Sequence, residues 1–426
     1  MPWQTLQPNV HGDWLNQRND LFETFIPIEP NKKFDGKSKA YFYTYGIGIN
    51  TNRDAWTYNF SESILNKKVQ ESINFYNHQR ELFASKKSFN PSLVVEDFID
   101  TDPQKISWTR SLRNNIYNDI PLFFDIYGIV VSSYRPFCKQ KLYFNRALNE
   151  AIGLNPVFFP GKTAYNIVIC VSPSSSDGLS LLITNCIANL HFNGDTQSFP
   201  LYYYEERQKS SPTLFDAGSE NEFIRRDGVS DFILERAQKM YGIRVTKEDI
   251  FYYVYGILHS PEYRLRFSNN LKKMLPRIPL VDEPREFWSF SKGGRELAEL
   301  HINYESLAPY DGVTFTGAEK GLFNVDKMRF PKKGQKETIL YNGYITISNI
   351  PDKAYEYVVN GKSAIEWIME RYQITTHKES GITNDPNDWA KEVGNPRYIL
   401  DLLLSVIALS LKTVTIVESL PELKFE

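Results

Sequence analysis

Three stretches of the sequence gather cations with no carboxylate among them. Arg135 to Arg146 (RPFCKQKLYFNR) holds Arg135, Lys139, Lys141 and Arg146. Arg264 to Arg277 (RLRFSNNLKKMLPR) holds Arg264, Arg266, Lys272, Lys273 and Arg277. Lys327 to Lys336 (KMRFPKKGQK) holds Lys327, Arg329, Lys332, Lys333 and Lys336. Such runs can neutralise phosphates one charge at a time. The competing reading is a solvated helix face, whose cations near a C-terminus also offset the helix dipole. That reading suits Arg264 to Arg277. In Lys327 to Lys336, by contrast, Pro331 and Gly334 mark a turn, and no dipole accounts for the charge. Arg225 and Arg226 stand in a polar loop, and a guanidinium fork matches the two acceptors of guanine. Asn193, Gln197, Gln208 and Asn221 flank that loop and could read adenine in the same way. The candidate nucleic-acid contacts are therefore Arg135, Lys139, Arg225, Arg226, Arg329, Lys332, Lys333 and Lys336.

Catalytic and cofactor chemistry is not legible. Gly46-Ile47-Gly48 lacks the third glycine of a dinucleotide turn, and it reads as the end of a strand. Asn395-Pro396-Arg397-Tyr398 has Arg where an adenine-holding N-P-P-Y loop has its second proline, and a proline opening a helix explains it. The six histidines (His11, His78, His191, His259, His301, His377) fall at no metal-ligand spacing. There is no G-x-S-x-G elbow and no Walker A loop. Glu422-Leu423-Lys424 has the shape of a nuclease half-site without a paired upstream Asp, and reads as a charged tail. No cofactor and no metal are expected.

The elements that must position the cations read as an α+β chain. At 426 residues it has room for two or three domains, with a core large enough to need no staples. Cys138, Cys170 and Cys186 form no disulfide framework, which suits a reducing cytoplasm. Lys plus Arg number 49 against 51 Asp plus Glu, so the net charge of -2 excludes a whole-surface polycation and leaves room for local basic faces. Met1 to Val10 carries neither the basic nor the apolar region of a signal peptide. Tyr398 to Val417 is the longest apolar stretch; its polar interruptions predict a buried helix rather than a membrane span.

Along the chain, Lys39 to Ile49 predicts a strand and Ser61 to Leu82 a helix capped by Ser61. Trp108, Leu112 and Ile116 suggest a second helix. Short strands follow over 128–133, 141–144, 165–171, 179–183 and 198–204. Thr246 and Asp249, and later Ser363 and Glu366, fit capping boxes. Helices are further expected from Ser260 to Pro276, from Gly294 to Tyr304, and from about Pro396; residues 311–359 return to strands around an Asn342-Gly343 turn. The expected units are residues 1–125, a β-rich unit over 126–245, and a helical or mixed unit over 246–426.

Several strings, taken in order, carry a family resemblance. They are Gly12 to Arg18 (GDWLNQR), Thr51 to Trp56 (TNRDAW) followed by Tyr58-Asn59-Phe60, Phe75-Tyr76-Asn77, and Tyr134-Arg135-Pro136-Phe137 with Tyr143. Phe199 to Tyr202, Tyr255 to Leu280 (YGILHSPEYRLRFSNNLKKMLPRIPL) and Glu299 to Glu305 complete the series. Over about residues 9–420 the chain resembles the C-terminal target-recognition, or specificity, region of type ISP restriction–modification enzymes. In that family one polypeptide carries a nuclease, an ATP-driven translocase, an adenine-N6 methyltransferase and then the recognition region. The resemblance implies a chain that is no enzyme by itself. It would read a short asymmetric sequence in double-stranded DNA and present the adenine to the methyltransferase, which would do the base flipping. The implied partners are DNA and the methyltransferase and translocase parts, in cis or as a separate chain, with no membrane. Cys138-Lys139 stands where relatives often have Asp and a basic residue, so no role for an acid carries over there. The familiar strings suit a scaffold, and the loops Gln208 to Gly228 and Asp311 to Lys336 suit readout. Two other readings stay open: a docking module with an exposed apolar patch around Trp14, Phe22 and Trp56, and an unrecognised hydrolase or nuclease with converging carboxylates.

Overall fold

The computed structural model describes residues 6–15, 17–161, 164–175, 178–207 and 223–425. Two four-stranded sheets occupy its middle. Their strands, in chain order, are β1 (Gly46–Ile47), β2 (Tyr58–Asn59), β3 (Ile129–Arg135), β4 (Cys138–Tyr143), β5 (Val168–Ser175), β6 (Gly178–Thr184), β7 (Ile187–Ala188) and β8 (Gln197–Pro200). One sheet runs β1-β8-β5-β6 and is antiparallel throughout. The other runs β2-β4-β3-β7, with β7 parallel to β3. Both sheets therefore take a short strand from the first 60 residues and the rest from the β-rich middle. The mixed α+β architecture expected from the sequence is present.

Strand β6 is buried at all its positions, because its sheet divides two cores. Side chains alternate faces along a strand. Val168, Cys170 and Leu182 accordingly join the core that runs on to Tyr341, Ile365 and Leu403. Ile169, Val171, Leu181 and Ile183 join the opposite core with Phe42, Phe199 and Tyr253. A strand covered on both sides shows an unbroken apolar run, as Leu-Leu-Ile does here.

Seven longer helices pack around the sheets: α1 (Glu62–Lys87), α2 (Arg110–Tyr117), α3 (Asp231–Tyr241), α4 (Lys247–Ile257), α5 (Pro284–Ile302), α6 (Ala364–Arg371) and α7 (Tyr398–Glu418). The Ser61 hydroxyl accepts from the Ile64 N–H and starts α1, which runs on to Lys87. Capping boxes start α4 at Thr246 and Asp249, and α6 at Ser363 and Glu366. Helix α7 is long and apolar enough to span a membrane by length and composition, but two thirds of that stretch (67%) is buried, with Leu400, Leu403, Ile407 and Leu409 in the core.

Three elements differ from expectation. Lys39 to Ile49 is not one strand: Tyr41 and Phe42 bond to Pro27 and Ile28, Tyr43 bonds to Gly228, and regular pairing is confined to β1. The helix after Ser260 breaks at Phe267 into Pro261–Arg266 and Ser268–Leu271, well before Pro276. The helix expected from Gly294 begins at Pro284. Its Gly293-Gly294 pair resembles a breaker, but Gly294 serves a close approach instead. A Cβ on Gly294 would lie 1.9 Å from the Tyr252 carbonyl oxygen of α4, and one on Gly256 would lie 2.2 Å from the Phe290 carbonyl oxygen of α5. The two backbones touch. Helix α3, capped by Ser230, was not read from the sequence at all.

Behind that contact lies a polar knot in an apolar core. The Tyr255 hydroxyl and His301 Nδ1 share a 2.7 Å hydrogen bond, His301 Nε2 lies 3.0 Å from the Thr413 hydroxyl, and His259 Nδ1 lies 2.8 Å from the Tyr255 carbonyl. The His301 ring stacks on Tyr357 with centroids 5.1 Å apart. Burial pushes the His259 imidazole down to about 3, and burial together with the neighbouring His259 pushes His301 well below its ordinary value.

Two outcomes follow for stability. Gly294→Ala should destabilise the protein by roughly 3 kcal/mol in urea unfolding, because backbone overlap outweighs the ~1 kcal/mol of helix propensity that alanine adds. An unchanged or raised midpoint would mean that α4 and α5 do not touch as described. The buried histidines stay neutral in the fold while the unfolded chain takes up protons near pH 6.5, so stability should fall as pH drops below that value. The slope should approach about 1.4 kcal/mol per pH unit for each histidine. Urea midpoints at pH 7 and pH 5 measure this, and His301→Gln should flatten the dependence.

Candidate nucleic-acid interface

Arg225 and Arg226 lie on a hairpin of β9 (Tyr202–Glu206) and β10 (Phe223–Asp227). Its register sets Tyr203 opposite Arg226 and Tyr204 opposite Arg225. The tyrosines are half-buried and the arginines exposed. The Arg225 guanidinium lies 4.3 Å over the Tyr202 ring, and Arg226 Nε donates to the Glu205 carboxylate at 3.0 Å. Both side chains of that pair are about half exposed, at 50% and 49%. Such a pair is worth under about 1 kcal/mol, so a phosphate or base edge can displace it. The tyrosines root the hairpin: Tyr204 donates to the Tyr165 carbonyl at 2.6 Å, and the Tyr203 ring meets Phe34 edge-on at 5.2 Å. Burial raises the pKa of all three phenols, which keeps them neutral. Most of the expected readout loop from Gln208, including Gln208 and Asn221, lies outside the described residues. Asn193 is buried and donates to the Cys170 carbonyl at 2.8 Å, and Gln197 sits in β8.

A second hairpin carries Arg329, Lys332, Lys333 and Lys336. Arg329 pairs with Leu340 through both backbone bonds, 3.1 and 2.8 Å. The Lys332 carbonyl accepts from the Gln335 N–H at 3.1 Å, and Gly334 takes a φ of +90°, which closes the turn in a conformation that favours glycine. Val325, Met328 and Ile339 anchor the base in the core. Strand β12 (Thr338–Leu340) continues from that base in a small sheet, where it and β11 (Thr314–Thr316) flank β13 (Thr346–Ser348). Lys332, Lys333 and Arg329 are exposed, and among the described residues none of them enters an ion pair. Lys336 is different: it pairs with Glu366 at 2.9 Å and lies 5.2 Å over the Tyr355 ring. Glu366 also caps α6. Burial would raise its pKa, but the bonds from Lys336 and Ser363 prevail and lower it. Lys336 thus ties the charged turn to the helix behind it.

Arg135 and Lys139 point inward. Arg135 donates to Asn189 at 2.8 Å and to the Tyr134 carbonyl at 2.6 Å, and faces Asp54 at 3.4 Å. Lys139 pairs with Glu305 at 2.8 Å. Three cations of the Arg264 to Arg277 string are also tied down: Arg264 donates to the Leu179 carbonyl, Lys273 pairs with Asp13, and Arg277 pairs with Glu23, while Arg266 and Lys272 are exposed. The structure thus gathers Arg225 with Arg226, and Arg329 with Lys332, Lys333 and Lys336, while Arg135 and Lys139 serve internal contacts. Tyr202 and Tyr203 were legible only as strand residues; the place of Tyr202 under Arg225, and of Tyr203 opposite Arg226, needs the β9–β10 register. Of the apolar trio considered for docking, Phe22 and Trp56 are buried, and Trp14 is exposed.

A family model of the type ISP C-terminal specificity domain matches residues 40–402. Among solved structures, the chain is similar to a nuclease-deletion mutant of the type ISP restriction–modification enzyme LlaGI in complex with a DNA substrate mimic, at 36% identity and a TM-score of 0.84 over 100% of this chain and 37% of that one. It is similar to the ATP-dependent type ISP enzyme LlaBIII bound to DNA, at 34% identity and 0.84, over 99% of this chain and 26% of that one. A DrdV–DNA complex matches at 28% identity and 0.83, over 100% of this chain and 41% of that one. The chain therefore spans between about a quarter and two fifths of the length of these relatives. No curated protein matches it.

The inward and outward cations should separate by stability. Arg135→Ala removes one of the donors to Asn189 and to Asp54 and should cost about 1–3 kcal/mol in urea unfolding. The double variant Lys332→Ala, Lys333→Ala should stay within about 0.5 kcal/mol of the parent. Equal losses in the two variants would contradict this division.

Proposed function

The chain belongs to the type ISP C-terminal specificity domain family, and from that premise we propose that it reads a target in double-stranded DNA for an enzyme whose chemistry lies elsewhere. The carrying observation is a match along the whole chain to enzymes solved with DNA. In this reading the chain presents the target adenine to an adenine-N6 methyltransferase in the cytoplasm. Nuclease, translocase and methyltransferase activities belong to other parts of the enzyme, in cis or on a separate chain.

The division of labour follows the geometry. Lys332, Lys333 and Arg329 meet phosphates and fix the register of the duplex. Arg225 and Arg226 read base edges, where a fork that finds two acceptors discriminates guanine. Tyr202 holds Arg225 from below by a cation–π contact, which orders the long side chain before DNA arrives. Lys336 positions the turn through Glu366. Arg135 and Lys139 contribute by holding the sheet in place. With a net charge of -2, attraction for the duplex must come from these local groups.

A second reading, docking onto the catalytic parts, is favoured by one observation. Phe123, Ile126 and Tyr127 are 79%, 60% and 76% exposed, and Tyr127 lines an open cleft of about 560 Å³ together with Phe144, Phe159 and Ile187. Exposed aromatics around such a cleft suit a macromolecular contact.

A fluorescence-anisotropy titration of random duplex DNA over a salt series tests the first reading. Affinity should fall steeply with salt, and Lys332→Ala with Lys333→Ala should reduce the log–log slope by about two. Arg225→Ala should instead lower discrimination among sequences, by ~1–3 kcal/mol at one base pair. No binding at low salt would sink autonomous recognition and leave docking as the role.

A further inference from the structure

Arg53, in the Thr51 to Trp56 string, is 7% exposed. Its Nε is sealed from solvent and has no hydrogen-bond partner among the described residues. Arg135 and Lys139 each face a carboxylate within 3.4 Å, and the inward Arg264 and Lys68 each donate to a backbone carbonyl; Arg53 faces no carboxylate that close among the described residues. Exposed Glu150 acts on it at longer range, and burial brings its pKa down to about 10. A buried guanidinium without a counter-charge weakens the fold, so packing and stability do not account for it.

The residue lines a polar cleft of about 400 Å³. Asn50, Asn52 and Ser107 line the same cleft, with His191 and His377 exposed in its wall. Two carboxylates also line it. Asp54 is engaged, accepting from the Thr51 hydroxyl and facing Arg135. Glu379 is exposed. The Thr51 hydroxyl also accepts from the Arg53 N–H at 3.1 Å, which fixes the backbone that carries the guanidinium. The arrangement is a guanidinium without an ion pair among the described residues, surrounded by amide, hydroxyl and imidazole groups and two carboxylates of which Asp54 is already engaged.

We propose that Arg53 is the centre of a phosphate-binding site in this cleft. A guanidinium binds a phosphate through two parallel N–H···O bonds, and amide, hydroxyl and imidazole groups supply further donors. The phosphate comes either from the backbone of bound DNA or from a free anion, and only the first source rests on the function proposed above.

The test uses the full chain with Arg53→Met and Arg53→Lys. Thermal unfolding is followed with and without inorganic phosphate at matched ionic strength, and duplex DNA is titrated over the salt series. In the parent, phosphate should raise the melting temperature. Arg53→Met should melt higher than the parent without phosphate and lose the phosphate response. Arg53→Lys keeps the charge without the fork and should retain a weaker response. If the phosphate is a DNA phosphodiester, Arg53→Met should weaken DNA binding about tenfold or more and lower the log–log slope by about one. A lost phosphate response with an unchanged DNA slope would assign the site to a free phosphate. A parent that responds to phosphate and binds no DNA would keep the site and sink the recognition reading. The site is overturned if the parent gains nothing from phosphate while Arg53→Met keeps the parent's DNA slope, or if Arg53→Met merely melts lower with both ligand responses intact.

Discussion

At Gly256 and Gly294 the backbones of α4 and α5 come into direct contact, and much of the second half of the chain depends on that contact. Only residues without a Cβ permit it. It places Tyr255 on α4 beside His301 on α5, and His301 reaches Thr413 on α7 and stacks on Tyr357. Through α7 the contact reaches Leu400, Leu403 and Ile407, which share a core with Val325, Met328 and Ile339 under the charged turn. The turn that holds Lys332 and Lys333 is thereby rooted, at second hand, in a meeting of two glycines. A polar knot at such a crossing also selects one arrangement of the helices, because its donors and acceptors match in few others.

The second constraint is electrostatic. A chain with 49 cations and 51 anions makes no general basic surface, so the pairing of each cation decides what it can do. Arg135, Lys139, Lys273 and Arg277 face carboxylates and join segments far apart in sequence. Lys332, Lys333 and Arg329 stand on a turn whose geometry comes from Gly334 and the Arg329–Leu340 backbone pair rather than from charge. Salt bridges inside and unneutralised charge on a turn are opposite uses of the same residue types. Linear clustering alone does not distinguish them.

This explains what was legible in the sequence. Capping boxes at Thr246 and Ser363 were visible because a cap is local: a hydroxyl and a carboxylate three residues apart suffice. The β-rich middle was visible through its alternation and turn residues. The start of α5 was hidden, because Gly293-Gly294 reads as a break unless the helix across from it is known. The fate of Arg135 was hidden for the same reason, since Asp54 and Asn189 lie 81 and 54 positions away. The Lys327 to Lys336 turn was legible as exposed charge, since Pro331 and Gly334 forbid a helix there. Arg53 gave no signal at all. It stands in a string that reads as scaffold, and its distinction is the partner it lacks.

Under the proposed function, stability and recognition compete for the same cations, and apart from Arg53 depth separates the two uses. Arginines that hold sheets together are placed where each finds a carboxylate or carbonyl, so they strengthen the fold and have little left for a ligand. The exposed Arg225 and Arg226 on β10, and Lys332 and Lys333 on their turn, hold at most an exposed ion pair, so their replacement should leave the core beneath undisturbed. Tyr202 illustrates how the two depths are joined: its ring is half-buried, yet it supports the exposed Arg225 guanidinium 4.3 Å above it. An aromatic root beneath a cationic tip lets a rigid core direct a long side chain outward without burying its charge. Under the proposed function that separation matters, because a residue that both held the core and read the target could change for neither purpose alone.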